Sequence, residues 1–227
     1  MTTPLLSRAP YRTGPALSPA PQVALALGRA HEACGMARRG FALWLASAAQ
    51  GPLYWVSPTW QEGALTPDGI ARWLSPARLT MVAAPRPQEV LWALEEVCRA
   101  GVIPMVVGDL PAPPSLTAVR RLHLACEEGA AKAAKPPLCL LLTPGDGGCP
   151  GVETRWRMEP RHAGPQEAWE ITRLRARTAP PEHWHATREA TSGAAGLTLT
   201  RLPTSDTPPT HAGTPAQPAL KGAQHLI

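Results

Sequence analysis

The sequence predicts an α/β domain: a mostly parallel sheet flanked by helices, with a C-terminal antiparallel hairpin. Three observations predict it. The runs LYWVS (53–57), VIPMVVGDL (102–110) and LCLLLT (138–143) are short and continuously apolar, as strands buried on both faces are. Segments of helical period separate them, and strand–helix–strand alternation with short connections places helices on both faces of a parallel sheet. Beyond position 152 the period becomes two, with Val152, Thr154, Trp156 and Met158 on one side and charges on the other, the pattern of a half-buried strand.

In chain order, residues 1–20 form a Pro-, Ser- and Thr-rich arm expected to be flexible, and PQVALALGR (21–29) reads as a short helical or turn segment. AHEAC (30–34) is a strand running into Gly35. Phe41, Trp44, Leu45 and Ala48 then fall at i, i+3, i+4 and i+7, one face of a helix that Gly51-Pro52 ends. A short helix near Pro67–Leu74 and the strand RLTMVAA (78–84) follow the run at 53–57. PRPQEVLWALEEVCRAG (85–101) is opened by prolines and closed by Gly101, the usual asymmetry of helix ends. Ser115 caps LTAVRRLHLACEEG (116–129), whose inward face is Leu116, Val119, Leu122 and Cys126. PGDGGCPG (144–151) is a turn by composition, and EAWEITRLRAR (167–177) is the expected antiparallel partner of VETRWRME (152–159). The domain is expected to span 21–178, with 179–227 a Pro/Thr-rich, largely disordered tail.

The 227 residues are 44% apolar, enough for a core, but hold 28 prolines, well above the usual share of about 5%, so the folded part is shorter than the whole. A net charge of +5 suits a nucleic-acid or acidic-protein partner without choosing between them. Only Lys132, Lys135 and Lys221 among the 22 basic residues are lysines; that bias fits GC-rich coding as well as phosphate recognition. Five cysteines without a CxxC pair read as free, mostly buried thiols of a reducing compartment. With no signal-peptide run and no apolar stretch of about 18 residues, a cytoplasmic location and no membrane partner are expected.

The informative segment is the first strand-to-helix turn, HEACGMARRGFALWL (31–45). A phosphate-binding loop has the form G-x-x-x-x-G-K-[ST] in that setting; its N–H groups surround phosphate, its lysine reaches the β- and γ-phosphates and its hydroxyl holds magnesium. Gly35 and Gly40 have the spacing, but Phe41 and Ala42 stand where the lysine and hydroxyl belong. Asp109, ending the run at 102–110, has the place of a Walker B acid. Without magnesium, a salt bridge or helix N-terminus near Arg38 or Arg39 is expected to occupy it. The expectation is an ATPase layout without ATP: no cofactor, and not an enzyme.

These phrases, with GPLYWVSP (51–58), LWALEEVCRAG (91–101), LTAVRRLHLACEEG (116–129) and RWRMEP (155–160), resemble the ImuA-type proteins, RecA-like relatives sometimes grouped near the SulA cell-division inhibitors. The resemblance spans roughly residues 25–178. It implies a RecA-like P-loop core and an accessory protein of the bacterial DNA-damage response. Such a protein works beside a polymerase-like partner of ImuB type and an error-prone DNA polymerase, or RecA itself, in translesion synthesis. It does not carry over ATP-driven filament formation. Two rival expectations remain open: an unconventional ATPase with Arg38 or Arg39 in place of the lysine, and a SulA-like division inhibitor.

Other residues are candidates for DNA or partner contact. Arg173, Arg175 and Arg177 alternate and so are expected on one strand face, where they would follow phosphates or form a solvated edge. Arg120 and Arg121 adjoin on a helix; pairing with Glu127 or Glu128 is the alternative to nucleic-acid contact. Trp184, with Trp60 and Trp73, would suit a partner anchor. His183 and His185 lack the Cys or carboxylate neighbours a metal needs, so no metal site is expected. His31 and Glu32, adjacent on a strand, face opposite sides and are not expected to act jointly as acid and base.

Overall fold

The computed structural model describes residues 14–61, 63, 65–188 and 196–203. Positions 1–13 of the expected arm and 204–227 of the expected tail lie outside the described residues. A two-stranded hairpin, β1 (Ala16–Ala20) and β2 (Val23–Ala26), precedes a nine-stranded sheet. The sheet's strands are β3 (Ala30–Cys34), β4 (Leu53–Pro58), β5 (Leu79–Ala84), β6 (Met105–Asp109), β7 (Leu138–Leu142), β8 (Thr154–Pro160), β9 (Ala168–Ala176), β10 (Glu182–Arg188) and β11 (Leu197–Arg201). Their spatial order is β11-β10-β9-β8-β3-β7-β6-β4-β5. All neighbours from β8 to β5 are parallel, whereas β8, β9, β10 and β11 pair antiparallel. The protein is therefore a mixed α/β fold with a large, mostly parallel sheet.

Helices α1 (Arg38–Ser47) and α2 (Pro67–Ala71) cover one face, and α3 (Pro87–Ala100) and α4 (Leu116–Lys132) the other. Every residue of β3, β6 and β7 is buried; β6 and β7 accordingly read as apolar runs, whereas β3 also buries His31 and Glu32. Pro87 starts α3 and Gly101, at φ 71°, stops it. Ser115 caps α4 by accepting from the Ala118 N–H. Leu116, expected on the inward face of α4, is instead partly exposed at its N-terminus, while Val119, Leu122 and Cys126 are buried.

Two boundaries differ from the expectation. The segment at 21–29, expected to be helical or a turn, holds a strand at Val23–Ala26 between two turns, because Val23 and Leu25 alternate inward under α1. Ala16–Ala20 pairs with it, so the arm is not flexible throughout. The domain also continues past 178. β10 buries Trp184 and Ala186 on the α1 side of the sheet, and β11 sets Leu197 and Leu199 against the same cluster. The expected disordered tail thus contributes two strands: a strand buried on one face needs only every second residue apolar. All five cysteines are buried free thiols. Among the described residues no helix is long and apolar enough to cross a membrane.

Candidate functional site

The carboxyl ends of β3, β4, β6 and β7 form one rim of the sheet, and in open α/β sheets such rims hold ligands. Here the turn after β3 is short: Gly35, Met36 and Ala37 alone separate β3 from α1. Gly35 has φ 87°, and a Cβ on it would lie 2.5 Å from the Met158 carbonyl oxygen, so only glycine fits. Gly40 does not belong to the turn. It lies in the first turn of α1, which corrects the expectation that Gly35 and Gly40 bracket one loop.

The N–H groups of this turn already have acceptors from the chain itself. Gly35 donates to Gly145 O at 2.9 Å, Met36 to Glu159 Oε2 at 3.3 Å, Ala37 to Met158 O at 3.0 Å and Arg38 to Gly35 O at 3.3 Å. A phosphate cradle needs such donors free. In this turn a carboxylate, Glu159, already serves as the anion.

Phe41 is fully buried, stacked on Trp156 at 5.8 Å between centroids and edge-on to Trp44 at 6.0 Å. Ala42 is also fully buried. Both side chains have joined the core beneath the sheet. The rings continue from Trp156 to Trp184 at 5.9 Å, and the Arg173 guanidinium lies over both indoles, 5.8 and 5.5 Å from their centroids.

Asp109, at the end of β6, is buried, and Arg39 of α1 donates from Nε to its Oδ2 at 2.6 Å. Arg39 Nη1 donates to Gly63 O. Arg38 Nε lies 3.9 Å from Asp109 Oδ1. The expected salt bridge is therefore present, with Arg39 the closer partner. It ties α1 to the end of β6 across the end of β7.

A second buried carboxylate, Glu32 on β3, organises the turn at 144–151. It accepts from Thr143 Oγ1 at 2.6 Å, Gly148 N at 2.8 Å, Cys149 N at 3.1 Å and Arg155 Nε. Gly147, at φ 76°, is required because a Cβ there would approach Glu32 Oε1 to 2.6 Å. Burial pushes the Glu32 pKa up, but the bonds from Thr143, Arg155 and Cys149 outweigh it and hold the carboxyl below its ordinary range. Burial and the Glu32 charge push the nearby Cys34 thiol up to about 12, so it stays protonated.

His31 faces the other side of β3. Its Nε2 donates to Ala26 O at 2.9 Å, since a carbonyl can only accept, and its Nδ1 accepts from Thr154 Oγ1 at 2.7 Å. Trp156 Nε1 donates to the same hydroxyl at 2.8 Å. Burial, with smaller contributions from His123 and Arg29, lowers the His31 pKa to about 4. The neutral ring joins the N-terminal hairpin to β8. Nothing in the sequence marked the Glu159, Thr154 or Trp156 partners, each more than a hundred residues away along the chain.

The remaining candidates separate. Arg173, Arg175 and Arg177 do not share a face: a bulge pairs Trp156 with Arg173 but Arg155 with Arg175, and an extra residue reverses the alternation. Arg173 lies over the indoles and pairs with Glu182, so it and the buried Trp184 are structural, contrary to the expectation of contact. Arg175 is exposed on the opposite face. Arg177 is exposed too and reaches Glu153 at 3.6 Å. Arg121 pairs with Glu95 of α3 at 2.7 Å, not with Glu127 or Glu128. Arg120 is exposed. Trp73 is buried beneath Arg188, whereas Trp60 is exposed. His183 Nδ1 and Thr172 Oγ1 are 3.1 Å apart. No three His, Cys, Asp or Glu side chains among the described residues are placed to hold a metal ion.

No protein-family model matches the chain, and no curated protein matches it.

Proposed function

We propose that this chain is a RecA-like accessory protein of the DNA-damage response that neither binds nor hydrolyses ATP. In this reading it is cytoplasmic and binds a polymerase-like partner of ImuB type in support of error-prone translesion DNA synthesis. The resemblance of its phrases at 31–45, 51–58, 91–101, 116–129 and 155–160 supplies the process and the partner. The parallel sheet, with the turn after β3 and Asp109 on one rim, is compatible with a RecA-like core.

Three observations carry the non-hydrolytic part. The turn's N–H donors are bonded within the chain, Asp109 is bridged to Arg39, and position 41 is packed in the core. A triphosphate would have to displace Glu159 from Met36 and separate Asp109 from Arg39 before gaining any contact. This geometry also opposes an unconventional ATPase that uses Arg39 in place of lysine, because that guanidinium is committed to Asp109; of the alternative, Arg38, Nη1 donates to Gly35 O at 3.3 Å and Nε lies 3.9 Å from Asp109. No observation favours the division-inhibitor reading.

The test is co-purification of the full chain with a purified ImuB-type polymerase-like protein, with and without Mg-ATP. The reading expects a complex of unchanged yield in both conditions. A complex that forms only with nucleotide, or none at all, contradicts it.

A further inference from the structure

Among the described residues the helical layer on the α3–α4 side ends at α4, while the sheet beneath continues for four more strands. None of β8, β9, β10 or β11 contributes to the apolar cluster under α3 and α4. Four strands spaced about 4.8 Å apart leave a strip about 14 Å wide, more than the roughly 10 Å between packed helix axes. At the border lies a depression of about 460 Å³. One wall is a stripe of α4, Leu116, Arg120, Leu124 and Glu127, and the other includes Glu153 and Arg177. The 4-4-3 spacing puts those four residues on one helical face.

Its chemistry is mixed in a particular way. Leu124 is 64% exposed and Leu116 39%, apolar anchors with nothing over them among the described residues. Arg120 lines the depression, whereas Arg175 lies outside its lining, exposed on the adjoining sheet face; neither forms an ion pair among the described residues, and Arg177 holds Glu153 only at 3.6 Å. No Trp, Tyr or Phe ring among the described residues lines the depression for a base to stack on. Leucines ringed by underused arginines suit an amphipathic helix with an acidic border, since charge complementarity fixes which partner docks.

We infer that this ledge, α4 with the open face beside it, is the docking surface for an acidic amphipathic helix of a partner protein. Leu116 and Leu124 take its apolar face, and Arg120, Arg175 and Arg177 take its carboxylates. The inference rests on the proposed role as a partner-binding accessory protein and assigns that role a surface. Of the five arginines that the sequence offered for contact, it keeps three.

The test is fluorescence anisotropy on the full chain with three labelled probes: a synthetic leucine–glutamate amphipathic helix, its leucine–lysine counterpart, and a single-stranded oligo-thymidine. The glutamate helix should bind saturably and the lysine helix should not. Arg120→Glu with Arg177→Glu, and separately Leu124→Asp, should each weaken binding at least about tenfold with unchanged thermal melting. Absence of saturable binding by the glutamate helix, or equal binding to all variants, overturns the inference. So does oligonucleotide binding that the arginine reversals abolish, which would assign the ledge to nucleic acid. The same variants separate this claim from the functional reading. If the polymerase-like protein binds wild type and variants equally, the surface is wrong and the role stands. If only the glutamate helix binds, the surface stands and the role falls.

Discussion

Protonating His31 should destabilise this protein by an amount the structure sets. Its folded pKa is lowered to about 4 from an ordinary 6.5, so between those values the unfolded chain binds a proton that the folded one refuses. Stability therefore rises with pH through that window and is lost as pH falls through it. The full displacement corresponds to about 3 kcal/mol, of which about 2 kcal/mol is lost between about pH 7 and about pH 5. His123 and Arg29 both disfavour the charged ring, and among the described residues no carboxylate contributes to compensate. Glu32, on the opposite face with its pKa lowered, loses its contribution only at more acid pH, below the ordinary carboxylate range. The assay is urea unfolding across that range for wild type and His31→Gln, whose amide can still donate to Ala26 O. The variant should begin less stable by about 1 kcal/mol and overtake wild type as pH falls. Parallel curves for the two proteins would refute the assignment of a buried neutral ring.

Three other perturbations follow from the same contacts. Arg39→Ala leaves the buried Asp109 without its 2.6 Å partner and should cost about 3 kcal/mol in chemical unfolding, much of it recovered when Asp109→Leu is added; an additive double variant would contradict the pairing. Gly35→Ala forces a Cβ to 2.5 Å from Met158 O at φ 87° and should lower stability by about 1–3 kcal/mol, read as a fall in Tm. Ending the chain at 178 removes Trp184 and Ala186 from the aromatic face and bares Trp156 and Ile171. Such a chain should bind a hydrophobic dye at room temperature, whereas full-length protein should not; a truncated chain that melts like wild type would restore the shorter boundary.

The central strands were legible because burial on both faces leaves an apolar run that no other element imitates at that length. The hairpin of β8 and β9 was legible from its period of two. β2 was misread because VALA alternates with Ala and Leu, residues with high helix propensity, and only the burial of Val23 and Leu25 reveals the period. β10 and β11 were missed for a related reason. EHWHATR and LTLTR carry polar residues on the open face, so their apolar content matches that of the proline-rich tail around them. At the rim, the absence of a lysine and a hydroxyl at positions 41 and 42 was visible, as was an arginine partner for Asp109. The inward face carrying Phe41 was legible from its period, but the ring it stacks on was not, because Trp156 belongs to a strand that joins the sheet from much later in the chain. Equally hidden was the bulge in β9, a one-residue irregularity that sends Arg173 and Arg175 to opposite faces.

The most direct test titrates Mg-ATP calorimetrically into the full chain and into Phe41→Lys/Ala42→Thr, which rewrites the turn toward a working phosphate loop. With the turn's donors already bonded, wild type should give no saturable heat up to about millimolar nucleotide. The rewritten chain should lose several kcal/mol of stability from a buried ammonium without gaining affinity. Micromolar binding by wild type, abolished by Asp109→Ala, would contradict the account at its root.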